Sequence, residues 1–353
     1  MTPKSEAELA QMIADAKSPL EIIGGGSRSG LGNAVTGAPL HLGALSGITL
    51  YDPDALTLIA QAGTPLAKVE AALDEQNQML AFEPLSHAPM LGNKDNPTIG
   101  GMVAVNASGP RRIKAGACRD SLIGVRFVNG SGHIIKNGGR VMKNVTGYDL
   151  VKLMAGSHGT LGVITEVAFK VLPKPETTAT LRFEMGLEEG LAKLRAAMGS
   201  PYDVSGAAYR DGAALLRIEG LGESVKYRAE KLGGEIVKDN TIWKDIADMP
   251  ALAGASNIWR LSVKPGDAFA IAGTLHSAGF ETPVFDWSGG LIWVTGEQTD
   301  TPRQIISRFG GHATCIKGDF DTFHPETTPL AKISAGLRSK FDPRTILNPG
   351  RMN

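Results

Sequence analysis

Residues 20–32 read LEIIGGGSRSGLG: a short apolar run, Leu20–Ile23, breaks into five glycines within the nine positions from Gly24 to Gly32. Whether a helix opens behind these glycines separates two fold classes. A glycine-rich turn between a strand and a helix would be a dinucleotide fingerprint and would imply a doubly wound parallel sheet. The spacing rejects that, because Gly-X-Gly-X-X-Gly starting at Gly24 needs glycine at 29, where the chain has Ser29. The residues behind the loop, Leu31–Gly43, contain Pro39 and no helical period, so no helix opens there. A Walker loop fails as well, for want of Gly-Lys-Ser/Thr. What remains is backbone without Cβ atoms, whose N–H groups can approach an anion closely.

Glycine is abundant, 44 of 353 residues, but 23 lie before position 176 and 21 after it, so number alone localises nothing. Spacing does. Two more clusters fall in the first half, TIGGMVAVNASGP from Thr98 to Pro110 and GSHGTLGVITEV from Gly156 to Val167. Later glycines mostly stand singly between periodic segments, where turns and helix ends use them.

Around these clusters the periodicity predicts short elements. Ser5–Glu8 reads as a capping box opening an amphipathic helix. Leu56–Ala62 reads as a strand, followed by a helix with Thr64 as N-cap, Pro65 at N1, and Leu66, Val69 and Leu73 on one face. Leu122–Val128 and His133–Ile135 flank Asn129–Gly132 as a hairpin, and Asp149–Ala155 reads as a short helix. Val163–Val171 alternates as a half-buried strand that stops at Pro173, with a domain boundary expected at Pro173–Glu176. Short strands with few helices predict an α+β architecture. Beyond it, segments such as Ala213–Ile218, Glu223–Leu232, Trp259–Val263, Ala268–Ala278, Pro283–Trp287 and Leu291–Val294 alternate strand, helix and strand. Asp267 reads as a helix cap and Ser288–Gly290 as a hairpin loop, which gives ferredoxin-like layering.

Composition removes several functions. The chain carries 36 basic and 36 acidic side chains, which argues against nucleic-acid binding. Two cysteines, Cys118 and Cys315, can neither build a disulfide framework nor ligate an iron–sulfur cluster. No run of 18 predominantly apolar residues suggests a transmembrane segment, and the N-terminus lacks a signal-peptide pattern, so a cytoplasmic location is expected, with membrane association open only through a partner.

Five blocks in order carry a resemblance: GGGSRSG, PTIGGMVAVNASGPRRIKAGACRDSLIGV, GGRVMKNVTGYDL, GSHGTLGVITEVAFKVLPKP and the terminal FDPRTILNPGRM. Together they resemble the vanillyl-alcohol-oxidase type flavoproteins, whose FAD domain is the p-cresol methylhydroxylase (PCMH) type. KNVTGYDL and the length are most similar to the FAD-binding E subunits of bacterial glycolate oxidase (glycolate dehydrogenase). The resemblance implies a PCMH-type FAD-binding domain over residues 1–175, a ferredoxin-like α/β cap domain for substrate or partner over 176–329, and a segment 330–353 returning to the first domain.

It also implies site residues. Gly24, Gly25, Gly26, Ser27, Arg28 and Ser29 would grip the FAD diphosphate. Thr98, Gly100 and Gly101 would lie along flavin and diphosphate, with Ser108, Gly109 and Gly116 continuing that wall. Gly162 and Ile164 would meet the adenine–ribose end. Asn348 and Arg351 would approach the isoalloxazine, where Arg351 or Lys143 could supply a cation near N1. Some members tether FAD through a histidine in the glycine loop; this loop has none, so the FAD is expected to be non-covalent. Cys118 is expected to be a plain buried thiol.

No catalytic set stands out. Sister flavoproteins, the glycolate oxidase D subunit included, use a metal held by histidines and a glutamate, whereas no two of the seven histidines here lie within five residues, so no metal site is expected. His324 is a candidate lone base, and Arg111-Arg112 could recognise a carboxylate or a phosphate or simply face solvent. The resemblance implies oxidation of glycolate to glyoxylate, with electrons passing from flavin to an iron–sulfur subunit and a catalytic flavoprotein subunit as a further partner. Two alternatives stay open: a self-sufficient FAD-dependent dehydrogenase of a small 2-hydroxy acid, and a non-catalytic structural subunit.

Overall fold

The computed structural model describes all residues except 29, 95, 140–146, 239–240, 298–300 and 353. The first helix, Glu6–Asp15, starts as its sequence requires, with Ser5 Oγ accepting from the Glu8 N–H at 3.1 Å. Its buried face, Leu9 and Ile13, packs with Leu20, Leu40, Val128 and Val163. Strand Leu20–Ile23 runs parallel to Ala38–His41 and delivers the chain into the glycine loop.

The central element of this half is a five-stranded antiparallel sheet in the order Ile48–Asp52, Thr57–Gln61, Val163–Lys170, Leu122–Val128, Ile134–Gly138. The hairpin closes at Asn129–Gly132: Asn129 Oδ1 accepts the N–H groups of Ser131 and His133, and Gly132 takes φ +82. Two local expectations need correction. Val163–Lys170 is buried on both faces and not on one, because Thr165 on the far side donates to Glu6 Oε1 (2.5 Å) beneath the first helix. Thr64 does not cap the helix Leu66–Asp74, whose N-cap is Pro65; its hydroxyl instead donates to Gln61 O (2.6 Å) and accepts from Gly47 N (2.9 Å), bracing the turn.

Helix Ile99–Val105 is absent from the sequence reading, since Gly100-Gly101 argues against a helix on propensity. Tertiary packing overrides it. Thr98 Oγ1 caps the Gly101 N–H at 3.2 Å, and Gly100 donates to Ala62 O at 2.9 Å, where an added Cβ would stand 2.5 Å from the Ala62 Cβ. Met102 and Val103 then enter the core with Phe82, Phe127 and Phe169.

The second half is an eight-stranded antiparallel sheet made of two βαββαβ units. The first contains Thr177–Glu184, helix Leu187–Met198, Val204–Arg210, Ala213–Gly220, helix Gly222–Leu232 and Glu235–Val237. The second contains Ile258–Ser262, helix Ala268–Ser277, Glu281–Asp286, Leu291–Thr295, helix Arg303–Ile306 and His312–Lys317. They join edge to edge where Tyr209 and Arg210 pair with Phe285 and Val284. The ferredoxin-like layering is therefore doubled. Asp267 sits at the N-cap position of its helix without a side-chain capping bond. The predicted strand ends at Asp286, because Trp287, Ser288 and Gly289 all take positive φ (51, 60 and 93).

Charge ties the halves together. The Glu83 carboxylate accepts from Arg217 Nη1 (2.6 Å), Arg217 Nη2 (2.9 Å) and the Arg111 N–H (2.7 Å), while Arg111 pairs with Glu219. Asp248 Oδ1 accepts from Ser86 N at 2.7 Å, and Trp287 Nε1 donates to Gly109 O at 3.2 Å. After helix Thr328–Phe341 the chain turns back, with Arg344 donating to the carbonyls of Ile13, Ala14, Ala16 and Gly130. Leu347 bridges to Leu20, which brings Asn348 beside the glycine loop.

Candidate functional site

These elements enclose a cleft with about 1030 Å³ of empty space, part of it open solvent. Gly24, Gly25, Gly26, Ser27 and Arg28 line it from the loop, Thr98, Gly100 and Gly101 from the second glycine cluster, Gly162 and Ile164 from the third, and Asn348 and Arg351 from the C-terminal segment. Three separate glycine clusters thus converge on one space.

The glycines serve two purposes. At Gly25 a Cβ would lie 1.8 Å from Asn96 O, and at Gly162 2.6 Å from the Phe127 ring, so the protein itself requires bare backbone. At Gly101 the nearest atoms are Thr98 Oγ1 at 3.2 Å and Arg28 Nη1 at 3.6 Å, so the fold has nearly ordinary space for a side chain, which would reduce the cleft.

Asn348, at φ 44, accepts from Ile22 N through Oδ1 and donates from Nδ2 to His158 O, both at 2.8 Å, so it pins the end of one wall to another. Arg351 donates to Leu31 O (3.1 Å) and faces Glu21 at 3.4 Å. Arg28 is half-buried: Nε donates to His87 Nδ1 (3.1 Å) and Nη2 to Leu85 O (3.2 Å) and Met102 Sδ (2.8 Å). Burial brings its guanidinium down to about 10, so it stays cationic at neutral pH, and no described carboxylate forms an ion pair with it. With Glu21 opposite Arg351, Arg28 leaves the described cleft wall one positive charge in excess. Bare backbone plus an uncompensated cation suits a ligand carrying a diphosphate.

The other expected residues lie elsewhere. Ser108 Oγ accepts from Cys118 N at 2.8 Å and lines an adjoining pocket. Gly109 packs against Glu83 O, which a Cβ would approach to 2.6 Å. Gly116, at φ +83, ends the helical turn Arg112–Ala115 beside Asp120. Ser29 and Lys143 fall outside the described residues. Burial pushes the Cys118 thiol far up, which makes it inert. His324 Nδ1 accepts from Ala313 N at 3.4 Å and lines neither cavity. Among the described residues no three His, Cys, Asp or Glu side chains are grouped to hold a metal, and no helix is long and apolar enough to cross a membrane.

Sequence reasoning missed Glu21, Leu31, Leu42, Ala62, Ala104, Val105, His158 and Gly159 on the cleft wall. His158 was within reach, because it sits inside the third glycine cluster, and its φ of 50 marks a position held by its surroundings. Burial and the nearby Arg351 and Arg28 bring its imidazole down to about 4, so it is neutral.

The adjoining pocket shares Leu31, Val105 and His158 with the cleft and adds His87, Arg112, Arg260 and His312. Behind it, Asp286 accepts the Trp287 N–H at 2.7 Å. Burial drives the Asp286 carboxyl up to about 7, aided by Glu83 and opposed by the Trp287 N–H, Arg217 and Arg260. A carboxyl raised on folding stabilises the protein fully below its unfolded value near 3.8, and that contribution is lost as pH rises through 7, at about 1.4 kcal/mol per pH unit. Asp286→Asn keeps an acceptor and cannot ionise. Urea midpoints are expected to show the variant more stable than wild type at pH 8 and without that advantage at pH 4.

A family model described as an FAD binding domain matches residues 1–138. Over 99% of its length the chain superposes with a TM-score of 0.69 on 76% of an alkyldihydroxyacetonephosphate synthase, at 16% identity, which establishes the shared fold. The glycolate oxidase subunit GlcD of Bacillus subtilis (strain 168) is 32% identical over 186 residues, 51% of this chain and 38% of that protein. A D-lactate dehydrogenase of Anaerostipes hadrus is 38% identical over 44% of this chain and 32% of its own length. The shared fold, the family model and these relatives therefore define an FAD-binding oxidoreductase with a PCMH-type FAD domain, FAD being its cofactor.

The match that spans both halves is narrower. Glycolate oxidase subunit GlcE of Escherichia coli (strain K12) is 39% identical over 348 residues, 98% of this chain and 95% of that protein. The chain belongs to the family of that glycolate oxidase subunit.

Proposed function

We propose that this chain is the FAD-binding subunit of a glycolate oxidase complex. In that complex glycolate is oxidised to glyoxylate, and electrons pass from flavin to an iron–sulfur subunit, with a second flavoprotein subunit as a further partner. The observation that carries the reading is the match along both halves to a glycolate oxidase subunit. The convergent cleft supports it. Two cysteines cannot hold a cluster, so the one-electron carriers belong to a partner.

Residues 1–175 would form the FAD domain, 176–329 the cap and 330–353 the returning segment, in a cytoplasmic protein. Gly24, Gly25, Gly26, Ser27 and Arg28 would hold the diphosphate, with Thr98, Gly100 and Gly101 alongside it. Gly162 and Ile164 would flank the adenine–ribose end, and Asn348 and Arg351 the isoalloxazine end. Bound FAD supplies an acceptor that takes two electrons together and can release them singly. Arg28, half-buried and without an ion-pair partner among the described residues, favours negative charge in the cleft. The loop has no histidine, so the cofactor would be held without a covalent bond.

The purified chain tests this. Acid precipitation is expected to release FAD and leave polypeptide of unmodified mass. In the assembled complex, anaerobic glycolate is expected to reduce flavin and then the iron–sulfur partner. A chain isolated from that complex without flavin would support the structural-subunit reading instead.

A further inference from the structure

The pocket beside the cleft has about 790 Å³ of empty space, part of it open solvent, and an unusual set of charges. Arg112 comes from the turn after the second glycine cluster and Arg260 from the strand Ile258–Ser262 of the opposite half. Both guanidinium carbons stand over one indole ring, Trp287, at 4.6 and 4.9 Å from its centroid. Neither guanidinium makes an ion pair or side-chain hydrogen bond with any described residue. Their neighbours behave otherwise: Arg111 pairs with Glu219, and Arg217 with Glu83. Aspartates influence Arg112 and Arg260 only from further off, through Asp120 and Asp286 respectively.

The described lining contains no Asp or Glu. It does contain His87, whose Nδ1 accepts from Arg28 Nε at 3.1 Å. An imidazole that accepts at Nδ1 carries its proton on Nε2 when neutral, so its other nitrogen is a donor. Two guanidiniums without an ion-pair partner among the described residues, and a donor imidazole, form a site complementary to an anion. The support is strained as well, because Trp287 and Ser288 take φ of 51 and 60 in succession, and the Ser288 hydroxyl is buried without a partner. Non-glycine residues held in this region cost energy and concentrate at functional sites.

We propose that Arg112 and Arg260, stacked on Trp287, form a seat for the carboxylate of a small organic acid that binds beside the flavin cleft. The inference rests on the flavoprotein reading and adds to it that this chain takes a carboxylate ligand itself. The shared wall residues Leu31, Val105 and His158 put the seat directly beside the cleft. The two guanidiniums arrive from opposite halves of the chain, so the ligand would also bridge the two sheets.

The probe is oxalate, which matches glycolate in size and carries no hydride to lose. Calorimetry and the flavin difference spectrum follow its binding to the FAD-loaded protein. Wild type is expected to bind oxalate and glycolate, with acetate weaker. Arg112→Met and Arg260→Met, which keep an apolar stem on Trp287, are each expected to weaken binding at least about 10-fold, at unchanged flavin content and melting temperature, since charge-assisted bonds contribute this much. Arg260→Lys is expected to recover part of the loss. Wild type that holds FAD but binds no carboxylate, or methionine variants that bind as wild type does, would overturn the seat. Protein that binds oxalate calorimetrically yet takes up no FAD would count against the flavin reading and leave the seat standing.

Discussion

Gly25→Val is expected to yield protein with almost no FAD, and Gly101→Val to yield folded protein that binds it roughly 10- to 100-fold more weakly. The two glycines act differently. At Gly25 the first carbon of a side chain would stand 1.8 Å from the Asn96 carbonyl, so the loop and the segment before Thr98 must separate. That distortion removes one wall of the cleft. At Gly101 the closest protein atom is a threonine hydroxyl at 3.2 Å, and valine is a better helix former than glycine. Its stability should hold while its methyl groups occupy the cleft. Gly254, where a Cβ meets nothing within 4 Å, is the control, and Gly254→Val should keep full flavin content. Flavin absorbance per chain, beside a thermal melt, separates the three outcomes. Gly101→Val with wild-type affinity would remove its backbone from the FAD wall.

Arg217→Met is expected to cost roughly 3–5 kcal/mol of stability, a large share of what holds the two halves together. The Arg217 side chain is only 4% exposed and neutralises Glu83 through two hydrogen bonds, with Glu219 at 3.8 Å. Its loss leaves two carboxylates to Arg111 alone. Glu83→Gln should cost less, because Arg217 retains Glu219, and the double replacement should cost less than the sum. Burial by itself would raise the Glu83 carboxyl, but Arg217 and Arg111 bring it below its ordinary value. A carboxyl lowered on folding stabilises above its unfolded value and ceases to do so as pH falls through the folded one, so the tie should weaken only in acid. Urea unfolding of the single and double variants at pH 7 and pH 4 checks both magnitude and sign.

Much of this was legible in the residues, and the exceptions have physical causes. The hairpin at Asn129–Gly132 follows from spacing, and the rejection of a dinucleotide fingerprint from Ser29 and from the lack of a helical period in Leu31–Gly43. The helix Ile99–Val105 was hidden because two glycines suppress helix propensity, while the packing that demands them lies on Ala62, far away in sequence. Thr64 resembled a helix cap, but its hydroxyl found partners at Gln61 and Gly47, which no local pattern reveals. Ser108 and Gly109 end the second cluster and Gly116 follows it, yet the chain turns away after Asn106, at φ 50, and carries all three off the cleft. Arg112 was readable as a cation of unknown purpose. Its counterpart Arg260 was not, because only the folded chain brings the strand Ile258–Ser262 over Trp287.

The most direct test of the flavin's place in the electron route uses the assembled complex. The chain is stripped of FAD, reassembled with its partner subunits, and given glycolate and an artificial electron acceptor before and after FAD is restored to it. Acceptor reduction is expected to be absent from the complex whose copy of this chain is flavin-free and to return with FAD. Full glycolate turnover with this chain still flavin-free would contradict the assignment.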